Sequence, residues 1–196
     1  VNAYRFSIAW PRIYPEGRGK INEKGIDFYS RLVDELLYAG ITPYVTIFHW
    51  DLPEALQKEY GGFGDRRIVE DFADYVEILG SRLGDRVKKC ITMNEPWVYS
   101  ILGHFLGVHA PGKKNPWTGF KVVHNMLLAH GAAVERLRSS VPTRSALATD
   151  DTKTTKPDEK VEIGITLNMF PIFPKTESIK DRKATDMADQ FVNRLF

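Results

Sequence analysis

The strongest constraint on this chain is an alternation. A short apolar run is followed by a longer stretch with apolar residues at helical spacing, four times along 196 residues. Tyr4 to Trp10 is a β-favouring run that ends at Pro11. Asn22 to Ala39 reads as a helix: Asn22 stands at the N-cap, Phe28, Leu32, Leu36 and Leu37 recur at helical spacing, and Gly40 stops it. Thr42 to Phe48 is continuously apolar rather than alternating, the pattern of a strand buried on both faces. Ile68 to Leu83 is a second amphipathic helix, carrying Val69, Phe72, Val76 and Leu79 and closed by Gly84. Val87 to Met93 gives a third strand, followed by a long aromatic loop. A third helix is expected from about Phe120 to Arg138 and a fourth strand over Val161 to Asn168. A last helix is expected from near Asp181, still running at Phe196.

Strand-then-helix repetition predicts parallel strands joined by right-handed crossovers. Doubly wound sheets and the (β/α)8 barrel both satisfy it. A barrel needs eight such units and typically about 250 residues, so four units make half of one.

Composition is that of a globular domain, 43% hydrophobic and 27% charged, which excludes a disordered tail or a collagen-like repeat. No apolar run approaches the roughly 18 residues that span a bilayer. Lys plus Arg is 27 against 25 for Asp plus Glu, a net charge of +2. With no basic stripe, neither a nucleic-acid nor a membrane-surface partner has electrostatic support. Cys90, the single cysteine, reads as a small buried hydrophobe and fits a reducing compartment, so the cytoplasm is the default location. His104, His109, His124 and His130 are scattered without metal spacing, so no metal or cofactor is expected; His130, inside an apolar helix, reads as a core histidine.

The chain opens at Val1 and closes on Gln190 to Phe196 inside an expected helix, so residues 1–196 are expected to be one partial catalytic domain cut at both ends. Ser139 to Lys160, rich in Thr, Ser and Asp with two prolines, is expected to be a flexible surface loop opposite the active site.

Parallel α/β enzymes carry their chemistry at the C-terminal ends of the strands. Here those ends hold Trp10-Pro11-Arg12, His49-Trp50-Asp51, Asn94-Glu95-Pro96-Trp97 and Asn168-Met169-Phe170, whereas the opposite ends hold ordinary turn residues. Aromatic rings mixed with amides, imidazoles and carboxylates suit a ligand with hydroxyls and a flat apolar face, such as a sugar. Glu95 weighs most. It emerges from an apolar strand beside Asn94, and Pro96 and Trp97 follow to fix the backbone and supply an apolar wall, the setting that raises a carboxyl pKa as a general acid requires. Asp51 reads as a cap on the turn at Leu52-Pro53.

Four blocks carry a resemblance. Arg5-Phe6-Ser7-Ile8-Ala9-Trp10-Pro11-Arg12-Ile13-Tyr14-Pro15, Phe48-His49-Trp50-Asp51-Leu52-Pro53, Thr92-Met93-Asn94-Glu95-Pro96-Trp97 and His109-Ala110-Pro111-Gly112 together resemble glycoside hydrolase family 1, the β-glucosidase, β-galactosidase and 6-phospho-β-glucosidase group. The resemblance implies strands two to five of a (β/α)8 barrel. It also implies a retaining β-glycosidase acting on β-glucosyl or related β-glycosyl residues, with a carboxylic acid protonating the leaving oxygen and a carboxylate about 5 to 5.5 Å away attacking the anomeric carbon. By the same resemblance Glu95 is the acid/base, Arg5 orients the nucleophile, Asn94 holds the sugar 2-hydroxyl, and His49 and Trp50 line the glycone site. Trp97 then forms an aglycone-side wall, and Asn168 is a polar residue at the end of strand five.

The family's nucleophile is a Glu within Thr-Glu-Asn-Gly, a motif absent from these 196 residues. Glu16, Asp51, Glu54 and Glu177 are the other acids on the catalytic face, and none emerges directly from a strand end. The chain alone is therefore expected to be inactive and, with apolar faces uncovered, marginally stable. Two other readings stay open: a different barrel glycosidase such as an endoglucanase, and a non-catalytic sugar-binding or relic module.

Overall fold

The computed structural model describes residues 1–141 and 160–195. In chain order the elements are β1 (Ala3–Ser7), α1 (Trp10–Ile13), α2 (Glu23–Tyr38), β2 (Thr42–Phe48), α3 (Glu54–Tyr60), α4 (Ile68–Leu83), β3 (Lys89–Asn94), a π-helix (Val98–Phe105), α5 (Pro116–Ser140), β4 (Glu162–Thr166) and α6 (Ile179–Asn193). The strands form one parallel sheet in the order β1-β2-β3-β4. A doubly wound sheet reverses its order at a switch point. Here the order only advances, as it does around a barrel, and four strands with their helices make half of a (β/α)8 barrel.

Several boundaries differ from the expectation. The first strand ends at Ser7, because Pro11, fixed near helical φ, lets Trp10 open the short α1. Asn22 flanks α2 as expected, but its side chain does not cap; it donates to the Arg12 carbonyl at 2.9 Å. The expected aromatic loop after β3 is instead a π-helix. α5 starts at Pro116, where the Asn115 side chain accepts from Thr118 N at 3.1 Å. α6 ends at Asn193 rather than continuing. Of the expected 139–160 loop, Ser139 and Ser140 close α5, while residues 142–159 lie outside the described residues, as does Phe196.

One face of the sheet is apolar and covered by helices. Ile8, Val45, Ile47 and Cys90 form a core with Phe72, Tyr75, Val76 and Leu79 of α4 and Val122, Met126, Ala129, Ala133 and Leu137 of α5. α4 and α5 approach closely at Gly80, where a Cβ would stand 2.1 Å from Ser140 Oγ, so a larger residue would force the Ser140 side chain to move. The register sets Arg5 beside Tyr44, Tyr44 beside Lys89, and Lys89 beside Glu162, giving the other face a polar row in which Lys89 and Glu162 pair. Thr42 and Tyr44 are exposed, so β2 is buried on both faces only toward its C-terminal end, where Val45 to Phe48 are covered.

Candidate active site

The sheet's C-terminal edge gathers one polar cluster. Arg5 and Ser7, two residues apart on β1, point the same way because side chains alternate along a strand. The Arg5 guanidinium donates through Nε to Thr46 Oγ1 at 2.8 Å and through Nη2 to Asn94 Oδ1 at 2.5 Å and Thr166 Oγ1 at 3.4 Å. Thr166 also donates to Asn94 Oδ1 at 3.1 Å. One guanidinium therefore ties the ends of all four strands. These donors fix the Asn94 amide with its oxygen inward, leaving Nδ2, which has no partner among the described residues, able to donate to a ligand. Arg5 Nη1 is equally without a partner among the described residues.

Trp50 sits at the end of β2 with φ 77°, left-handed for a residue with a Cβ, and its indole Nε1 donates to the Asn94 carbonyl at 2.8 Å. Its ring meets His49 edge-on at 5.2 Å and His109 at 5.9 Å. His49 Nδ1 hydrogen-bonds Ser7 Oγ at 2.8 Å. Burial pushes the His49 pKa down, Arg5 adds to that shift, and Glu95 opposes it.

Glu95, the second non-glycine residue in left-handed backbone (φ 43°), follows β3 directly. Its N–H donates to the Thr166 carbonyl at 2.9 Å and its carbonyl accepts from Tyr99 N at 3.3 Å, where the π-helix begins. Backbone held in such a region is characteristic of sites where geometry is imposed by surrounding structure. The Glu95 carboxyl makes no hydrogen bond or ion pair with any described residue, so it is available to exchange a proton with a ligand. The π-helix then carries the chain back over the site. Val108 and His109 N–H groups both donate to Leu102 O, and a Cβ on Gly103 would lie 2.5 Å from Ala110 O.

The structure thus brings together Arg5, His49, Trp50, Asn94 and Glu95. It does not bring Trp97 into the group: the Trp97 indole donates to Phe191 O at 3.1 Å and its ring packs on Phe191 of α6. Asn168 stands two residues beyond β4, with no hydrogen-bond partner among the described residues. Thr46, Thr166 and Ser7 were missed by sequence reasoning, though strand periodicity places Ser7 on Arg5's face. His109 was seen only as part of a motif. Asp51 is half-buried, and its carboxylate accepts the His49 N–H at 3.4 Å rather than capping at Leu52-Pro53.

The remaining candidates lie in the core. Cys90 is buried and its thiol is pushed up to about 12. His130 Nδ1 hydrogen-bonds Thr92 Oγ1 at 2.8 Å, a satisfied core histidine. Among the described residues no cluster of His, Cys, Asp or Glu could hold a metal, and no helix is long and apolar enough to cross a membrane.

The chain as a whole is similar to known proteins. The model of glycosyl hydrolase family 1 matches residues 1–196. Beta-glucosidase A of Thermotoga maritima is 47% identical over 193 residues, covering 98% of this chain and 39% of that protein. Beta-glucosidase A of Acetivibrio thermocellus is 42% identical over 196 residues, covering 100% of this chain and 40% of that protein. The structure of the Thermotoga maritima beta-glucosidase in complex with deoxynojirimycin superposes with a TM-score of 0.87 at 46% identity, covering 98% of this chain and 39% of that one. The chain spans about two fifths of the length of the curated relatives it matches. On the family match across its whole length, the chain belongs to glycosyl hydrolase family 1.

Proposed function

We propose that residues 1–196 supply the acid/base half of a retaining β-glycosidase that hydrolyses terminal β-D-glucosyl residues of small glycosides and oligosaccharides. The observation that supports this reading is the Arg5–Asn94–Thr166 network, which engages the Asn94 amide oxygen and leaves its nitrogen without a partner among the described residues, one residue before Glu95. Glu95 acts as general acid toward the leaving oxygen and then as general base toward water. Asn94 Nδ2 holds the sugar hydroxyl next to the reacting carbon, and His49 and Trp50 form the glycone wall. Arg5 Nη1, without a partner among the described residues, is positioned to pair with a nucleophilic carboxylate contributed from outside these 196 residues. Trp97 and Asn168 line the outer, aglycone-side margin. Retention requires that second carboxylate, so the 196-residue chain alone is inactive.

The test is a chimera in which residues 1–196 replace the matching stretch of the Thermotoga maritima beta-glucosidase A. The chimera hydrolyses 4-nitrophenyl β-glucoside and the chain alone does not. Glu95→Gln lowers kcat by about 10²- to 10⁴-fold, the usual contribution of a general acid–base. Glu95→Ala regains turnover of the activated aryl glucoside when azide is added, giving β-glucosyl azide. A folded, active chimera indifferent to Glu95→Ala would overturn the assignment.

A further inference from the structure

The ends of β1 and β2 are joined by two groups that the chemistry above does not use. From the helix layer, the fully buried Tyr75 of α4 donates its hydroxyl to Ile8 O at 3.2 Å and Ile47 O at 3.1 Å, one carbonyl from each strand end. Trp10, also fully buried, stacks on Tyr75 at 4.9 Å and anchors its own indole on Gly17 O at 2.9 Å. From the loop side, the Asp51 carboxylate accepts the N–H of His49 at 3.4 Å, and the N–H of Trp10 at the start of α1 lies beside it. The two strand ends are thus met from opposite directions.

Between them lies the His49–Trp50 turn. Trp50 holds φ 77° and spans to the Asn94 carbonyl, while His49 reaches back to Ser7. Left-handed backbone at a bulky residue persists only when its surroundings over-determine it. Asp51, the next residue, is the one whose side chain holds the turn through the His49 N–H, beside the start of α1.

We propose that Asp51 is a positioning residue: by holding the His49 N–H beside the start of α1 it sets where the His49 ring and the Trp50 indole face the sugar. This rests on the glycone role given to His49 and Trp50 above. The ordinary alternative is a turn cap that adds stability and nothing else. Desolvation pushes the Asp51 pKa up to about 6, and the backbone N–H groups beside it oppose that shift.

The two alternatives separate in the kinetics of the chimera. Loss of stability alone reduces the amount of active enzyme, so apparent kcat falls while KM stays put. Displacement of the glycone wall weakens binding in ground and transition state alike, so KM rises while kcat is kept. For Asp51→Ala the expected result is a rise in KM for 4-nitrophenyl β-glucoside of about 10- to 100-fold, the scale of an ångström-sized misplacement. Asp51→Asn keeps one acceptor oxygen and serves if the alanine variant does not fold; its KM rise is smaller and in the same direction. In the folded variants the Trp50 indole N–H, read by ¹⁵N-tryptophan NMR, shifts while the Trp97 and Trp117 signals stay. An unchanged KM in either folded variant, with an unmoved Trp50 resonance, would overturn the proposal. An inactive but folded parent chimera would instead count against the glycosidase reading itself, and the NMR signal would still report on the clasp.

Discussion

The corner where β1, β2 and β3 end and the margin formed by β4 and α6 belong to one sheet, yet they are built differently. At the corner Trp10, Phe48, Phe63, Phe72 and Tyr75 are fully buried, and Arg5, Ser7 and Tyr75 cross-link the strand ends. At the margin α6 buries no residue, and Phe173 and Met187 are 79% and 72% exposed. β2 and β3 each have two strand neighbours and helices packed over them, whereas β4 has one neighbour and a helix with little to lean on. The same local alternation gives a rigid site on one side and an uncovered apolar surface on the other, so order here comes from neighbours rather than from propensity.

The comparison breaks most visibly by truncating the corner's core. Phe72 lies between Trp10, Phe48, Phe63 and Tyr75. Phe72→Ala is expected to destabilise the chimera by about 3–5 kcal/mol through lost burial and a residual cavity, read as a shift in denaturant midpoint at constant slope.

Acid reveals the corner's next weakness. His104 of the π-helix is fully buried, with Nδ1 near Tyr99 O at 3.3 Å and Nε2 without a partner. Burial pushes its pKa from 6.5 down to about 4. The fold therefore prefers the neutral ring, and this stability is complete above pH 6.5 and lost as pH falls toward 4, at most about 3 kcal/mol. Asp51 runs the other way. Its pKa rises from 3.8 to about 6, so its share of stability is greatest below pH 3.8 and declines as pH rises through 6. His104→Leu removes the acid-side loss, while Asp51→Asn leaves that loss unopposed and steeper than in the parent. A thermal scan from pH 4 to 7 in which His104→Leu keeps the parent's slope would place the buried proton elsewhere.

How much of this could be read from the residues differs between the two regions. The strand and helix positions were legible because Thr42–Phe48 and Ile68–Leu83 carry clear periodicity between glycine stops. His49, Trp50, Asn94 and Glu95 were picked out by the polar and aromatic residues at the strand ends, and Arg5 by the family resemblance alone. The π-helix was not, since Val98–Phe105 is apolar with neither a period nor a stop to separate helix from loop. Thr46 and Thr166 were missed because their contacts to Arg5 depend on register between strands far apart in sequence. The surroundings of Trp97 were hidden for a related reason: only the placement of α6 shows that its ring packs on Phe191.

A smaller effect tests the clasp from below. Tyr75→Phe keeps the stacking on Trp10 but leaves Ile8 O and Ile47 O without the hydroxyl donor. The expected cost is about 1–3 kcal/mol in thermal or denaturant unfolding, the range for an unsatisfied buried polar group.

The smallest effect sharpens the other side of the comparison. Among the described residues Phe173 is the most exposed phenylalanine of the margin, so Phe173→Ser in the 196-residue chain should change unfolding by no more than about 0.5 kcal/mol, as for surface substitutions generally. Its effect should fall on association, with a larger monomer fraction in sedimentation, because exposed apolar patches are what bring such chains together. In the chimera the outcome depends on what covers the margin. A ring packed under the remaining barrel strands loses burial on truncation to serine, and the same change then destabilises measurably. Equal silence in both settings would mean that β4 and α6 form a true outer surface, and the half-open sheet would then be a finished edge rather than a seam.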